Sequence, residues 1–112
     1  MKNTVILSLL ISAFISITGT AHAAVQMRGM AGCGDWVEGR QKVESYIDLN
    51  NRSWLLGFLS GIAVALDKDF LIGTDSSSLY LWMDNYCKSY PLKDIRNGGI
   101  NLSFELIKQK GL

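Results

Sequence analysis

Histidine is almost missing from this chain of 112 residues: it occurs once, at His22. That position lies in a leader expected to be removed, so the remaining chain has no imidazole for a Ser-His-Asp or Cys-His nucleophile or for a zinc ion. An excess of one charge is missing too. Loss of Lys2 with the leader takes the 11 Lys and Arg residues to 10, against 10 Asp and Glu. A formally neutral chain without a basic patch argues against nucleic acid or anionic lipid as a partner. Long apolar runs are lacking as well. The two uncharged ones, VILSLLISAFISI (5–17) and WLLGFLSGIAVAL (54–66), have 13 residues each, short of the roughly 20 that span a bilayer. Beyond the leader nothing alternates with the period and turn chemistry of a sheet, and the chain has no internal repeat, low-complexity segment or linker.

What is present begins with that leader. Met1-Lys2 supply a positive start, Val5–Ile17 an apolar run, and Ala21-His22-Ala23 a small-x-small cleavage site, which together predict an export signal over residues 1–23. The mature protein is then a single helical domain over residues 24–112, placed in the periplasm and without a membrane span.

Export bears on the only two cysteines, Cys33 and Cys87. Disulfides persist outside the cytoplasm, and an even count with none left over suits one structural bridge. Neither cysteine sits in a CxxC arrangement or an activating context, so a redox role has no support in the sequence. Closing a loop of this length constrains the unfolded chain by about 4 kcal/mol in the loop-entropy model.

Four helices are expected. The first runs from about Ala31 to Val43, with Trp36, Val37 and Arg40 at helical intervals from Cys33 and Asp35 and Glu38 where the helix dipole favours them. Glu44–Asn51 reads as a connector ending in an asparagine cap, followed by a helix over Arg52–Leu66. Within it Gly57, Gly61 and Ala65 recur every four residues. Each glycine costs about 1 kcal/mol against alanine in a helix, so the stripe predicts close packing of another helix or a contact between two copies of the chain. Asp67–Asp75 is a loop whose three carboxylates lack the EF-hand order of ligands, so no metal or other cofactor is expected.

Asp75 caps a third helix whose apolar positions Leu79, Trp82, Met83, Tyr86 and Tyr90 follow a helical period. An aromatic stripe at this spacing belongs to a core, with a ligand pocket lined by Trp82 and Tyr86 as the alternative. Pro91 ends the segment or opens the last helix, which extends to Lys110 before Gly111. Gly98-Gly99 either admits a close neighbour or breaks that helix. The candidate general bases, Asp67, Asp69, Asp84, Glu105 or a lysine, are scattered singly, a pattern of solvated side chains rather than of an enzyme.

The expectation is therefore an all-α, small four-helix domain with one disulfide. Cys33 in a short helix, GFLSG (57–61) in an apolar one, and YC-x-x-x-P (86–91) before a final amphipathic helix resemble the HdeA/HdeB family of periplasmic proteins. That resemblance implies the disulfide and a non-enzymatic role binding other proteins, as in acid-stress chaperones. The same features bear a weaker likeness to Rap1a/Tai-type immunity proteins, which bind and inhibit secreted amidases.

Overall fold

The computed structural model describes residues 25–112 together with Gly19. The leader expected over residues 1–23 lies, apart from Gly19, outside the described residues. These form four helices: α1 (Cys33–Gln41), α2 (Tyr46–Leu66), α3 (Ser76–Ser89) and α4 (Ile95–Lys110).

Side-chain caps fix three of the four starts. Ser45 accepts from the backbone N–H of Asp48 at 3.2 Å at the start of α2, Asp75 from Ser78 N at 2.8 Å at the start of α3, and Asp94 from Asn97 N at 2.9 Å at the start of α4. Each such cap contributes about 1 kcal/mol. Helix α2 thus starts at Tyr46, six residues before the expected Arg52. The cause is reciprocal capping: Ser45 Oγ accepts from Asp48 N while Asp48 Oδ2 accepts from Glu44 N, and Ser-x-x-Asp performs the task of a capping box. Helix α4 starts at Ile95 rather than Pro91, because Asp94 caps it and Lys93 N bonds back to the carbonyl of Tyr90.

Each helix packs principally on two others, α1 on α2 and α3, and α4 on α2 and α3. Helices α2 and α4 run in the same direction. Gly99, early in α4, meets Leu55 and Phe58 in the middle of α2, and Lys110 at its end reaches the carbonyl of Ile72 and Thr74 Oγ1 beyond α2. Trp36, Leu55, Leu59, Phe70, Met83 and Ile95 are fully buried between the helices.

The Cys33–Cys87 disulfide joins the first residue of α1 to the last turn of α3, with Cα atoms 4.8 Å apart and both residues buried. Beside it the chain is clasped twice more: Cys33 N donates to Lys93 O at 2.9 Å and Ile95 N to Ala31 O at 3.1 Å. The starts of α1 and α4 and the end of α3 are thereby tied at one end of the fold.

The close approach expected at Gly57 and Gly61 occurs elsewhere. Gly57, Gly61 and Ala65 are exposed, and among the described residues nothing lies within 4 Å of where a Cβ would stand at either glycine. Their stripe points away from α1 and α4, because the buried positions Asp48, Asn51, Leu55 and Leu59 define the opposite face of α2. Gly98 and Gly99 make the intimate contacts instead. A Cβ on Gly98 would stand 2.5 Å from Met83 Sδ and 2.9 Å from the Tyr86 ring, and one on Gly99 2.8 Å from the Phe58 ring. The pair does not break α4; it lets α3 and α2 lie against it.

Candidate functional site

Two features stand out on this frame: a cluster of four charged side chains shared by α1, α2 and α3, and several large apolar side chains exposed on the outside. The cluster is built from pairs four residues apart on each helix: Trp36 and Arg40 on α1, Asp48 and Arg52 on α2, Tyr80 and Asp84 on α3. That spacing puts both members of a pair on one face of a helix, and the three faces meet.

Asp48 is the innermost of the four, with its side chain wholly buried. Its Oδ2 lies 3.0 Å from Arg52 and accepts from Glu44 N, while its Oδ1 is 3.7 Å from Arg40 and has no hydrogen-bond donor among the described residues. Asp84 accepts from Trp36 Nε1 at 2.8 Å and from Arg40 Nε at 3.0 Å. Arg40 therefore lies between two carboxylates from two other helices. Its hydrogen bond to Asp84 raises its pKa further, partial burial opposes this, and the negative charges of Asp84 and Asp48 add to the rise. Arg40 and Arg52 both lie against the Tyr80 ring, 5.6 and 5.3 Å from its centroid, in reach of cation–π attraction. Two guanidiniums share one ring, and the two carboxylates offset their mutual repulsion.

Sequence reasoning missed this cluster, although the repeated i, i+4 spacing of charged and aromatic residues was present in three helices. Of the candidate general bases it named, Asp84 belongs to the cluster. Glu105 accepts from Trp82 Nε1 at 2.9 Å and from Gln109. Asp67 occupies the left-handed C-cap of α2, and Asp69 is exposed in the loop that follows. No group of three or more His, Cys, Asp and Glu that could hold a metal ion occurs among the described residues.

Trp82 and Tyr86 are half-buried and stack on each other with centroids 5.4 Å apart, Tyr86 continuing onto Tyr90 at 5.0 Å. Burial, with the nearby Tyr90 and Asp94, pushes the Tyr86 hydroxyl pKa up. These rings form a packed ladder between α3 and α4. The bridge between Cys33 and Cys87 is formed as expected.

Several large apolar side chains lie on the outside. Val64, Leu92, Phe104 and Ile72 each expose well over half of their area, and Tyr46, Val43 and Leu81 do the same. They are spread over the α1–α2 connection, α2, the loop after it, α3, the turn after α3, and α4. None of the described helices is long and apolar enough to cross a membrane. Compared with protein-family models, with curated proteins and with solved structures, the chain shows no significant match.

Proposed function

We propose that this is an exported, non-enzymatic protein that binds other proteins, and that it works in the periplasm as an acid-stress chaperone. The observation that carries the reading is the division of labour between the disulfide and the charged cluster. The bridge ties α1 to α3 at any acidity, whereas the contacts of Arg40 and Arg52 depend on ionised Asp48 and Asp84. In acid that protonates carboxylates, two positive groups are left packed around Tyr80 without counter-charge, a costly arrangement for partly buried ions. The 10 Lys and Arg residues remaining after leader removal keep their charge meanwhile, and net charge climbs toward about +10. Self-repulsion then favours opening.

Opening along α1 would uncover Trp36, fully buried in the closed state, and add it to the apolar side chains already outside. The disulfide limits how far the open chain expands. A surface of this kind can hold unfolding clients by apolar contact, without a fixed motif.

The test is light scattering of an acid-unfolding client at pH 2 and pH 7, with and without excess protein, alongside a dye that reports exposed apolar surface. The reading expects aggregation to be suppressed at pH 2 only. The Asp48→Asn variant, lacking one of the two carboxylates, should bind dye at a higher pH than the parent. A protein that stays closed at pH 2 and leaves the client's aggregation unchanged would overturn the reading. A single tight partner captured at neutral pH would move the assignment to an immunity-type binder.

A further inference from the structure

Between the extended residues 29–31, helix α1 and the first turns of α2 lies a cleft of about 340 Å³ that the proposed function does not use. Asp35, Glu38 and Gly39 line it from α1 and Lys42 from the C-cap, at spacings of three, four and seven residues that share one face. Ile47 and Asn51, four apart on α2, form the facing wall.

The floor of this cleft is polar. Gly39 has no side chain, and Asn51 Nδ2 lies 3.5 Å from where its Cβ would stand. Asn51 is only 6% exposed, and its Nδ2 has no hydrogen-bond partner among the described residues. Buried donors are nearly always matched, so this one calls for an acceptor brought from outside. One side of the cleft is a strand edge. Cys33 N donates to Lys93 O and Ile95 N to Ala31 O, in an antiparallel bridge of Gly32 with Asp94. Alternate residues of such a bridge turn their N–H and C=O groups opposite ways. Those of Met30 and the N–H of Gly32 therefore point away from Lys93–Ile95, and they make no backbone hydrogen bond among the described residues. At the mouth Glu38 is paired with Lys42 at 3.4 Å, whereas Asp35 is exposed and has no ion pair among the described residues. Met30, Ala31 and Ile47 supply apolar surface in between.

We propose that this cleft binds the amino-terminal end of a short peptide whose first residue is aliphatic. The ammonium pairs with Asp35, the first side chain packs against Met30, Ala31 and Ile47, and a backbone carbonyl accepts from Asn51 Nδ2. The extended backbone adds along the Met30–Gly32 edge, a common mode of peptide recognition. Asp35 and Gly39 stand one helical turn apart, about 5.4 Å along the axis, a separation that an ammonium and the carbonyls of the next residues can match. A simple amine would leave Asn51 and the strand edge unused, and a peptide's carboxylate end would meet Asp35 with like charge. The volume is at the lower end for small-ligand sites, so the bound portion is short. The site exists in the closed protein at neutral pH and stands whether or not the chain opens in acid.

The experiment is an NMR titration of the purified, nitrogen-15-labelled protein at pH 7 with trileucine amide, whose amino terminus is mostly charged there, and with its N-acetylated form. The free-amine peptide should bind saturably, shift the signals of Met30, Gly32, Gly39 and the Asn51 side-chain amide, and slow hydrogen exchange at Met30 and Gly32. Acetylation should weaken binding at least tenfold. Asp35→Asn, at an exposed site that leaves the fold intact, should lower the affinity of the free-amine peptide to that of the acetylated one. Gly39→Ala places a methyl in ordinary contact with Asn51 and Ile47, 3.5 Å from each, so it should keep the fold yet weaken both peptides by covering the floor. No shifts at about 5 mM peptide, equal affinity for the two peptides, or binding indifferent to Asp35→Asn would each overturn the proposal.

Discussion

Replacing glycine by alanine at four positions tests the packing of α2 and α4 by a change of sign. At Gly57 and Gly61 the new methyl enters open space. Gain in helix propensity and loss of unfolded-state freedom should stabilise the monomer by about 0.5–1 kcal/mol at each site. At Gly98 the same methyl would lie 2.5 Å from Met83 Sδ, 2.7 Å from its Cε and 2.9 Å from Tyr86 Cδ1. Met83 is fully buried, and Tyr86 is stacked on Trp82 and tilted against Tyr90, so neither can withdraw freely. Overpacking of this kind costs about 1–3 kcal/mol, partly offset by the same propensity gain. The net expectation for Gly98→Ala is a loss of about 1–2 kcal/mol, and for Gly99→Ala a smaller one, since the half-buried Phe58 ring can swing outward. Between Gly61→Ala and Gly98→Ala the gap is about 2 kcal/mol, or about 8–16 °C in Tm for a domain of this size. Thermal unfolding followed by circular dichroism, at concentrations low enough to hold the protein monomeric, measures both. Equal shifts of the same sign would show that α4 does not rest on α3 through Gly98, or that the stripe on α2 is covered within one chain.

The disulfide should make the oxidised protein two hydrogens lighter than the reduced one by mass spectrometry. With both sulfurs in the bridge there is no thiol to alkylate, and burial of both residues should slow reduction in native buffer, so labelling should need both reductant and unfolding; labelling of folded protein without reductant would contradict the bridge. A double Cys33→Ala, Cys87→Ala variant should lose about 2–5 kcal/mol in urea unfolding. At the start of α3, bonds from the Ser78 hydroxyl and backbone N–H hold the Asp75 carboxyl below its ordinary value of 3.8. A lowered folded-state pKa means that its contribution to stability is present above the ordinary value and disappears as pH falls through the lowered one. An NMR titration should place the Asp75 midpoint below 3.8, and Ser78→Ala should move it upward, the Ser78 hydroxyl being the largest cause; a midpoint that stays put would rule out that hydrogen bond as the cause.

The all-helical class, the pairing of Cys33 with Cys87 and the caps at Asp75 and Gly111 follow from the sequence alone. Periodicity, cysteine parity and capping chemistry are local or countable, and they need no knowledge of which surfaces meet. The start of α2 was also encoded locally, in Ser45 and Asp48, but only as half of a reciprocal cap whose other half is the backbone N–H of Glu44. Tertiary structure alone decided which glycines are packed. Gly57 and Gly61 read as an intimate contact by their spacing, yet the burial of Asp48, Asn51, Leu55 and Leu59 turns them outward. Gly98 and Gly99 read equally well as a break or a contact, and the arrival of Met83, Tyr86 and Phe58 makes them a contact. The charged cluster is the clearest case. Arg40, Asp48, Arg52 and Asp84 lie on three helices and look like solvated surface residues one by one. Only the packing of α1 on α2 and α3 brings them within 3–4 Å around Tyr80, because long-range electrostatic contacts depend on the relative rotation of helices, which periodicity in one segment does not specify.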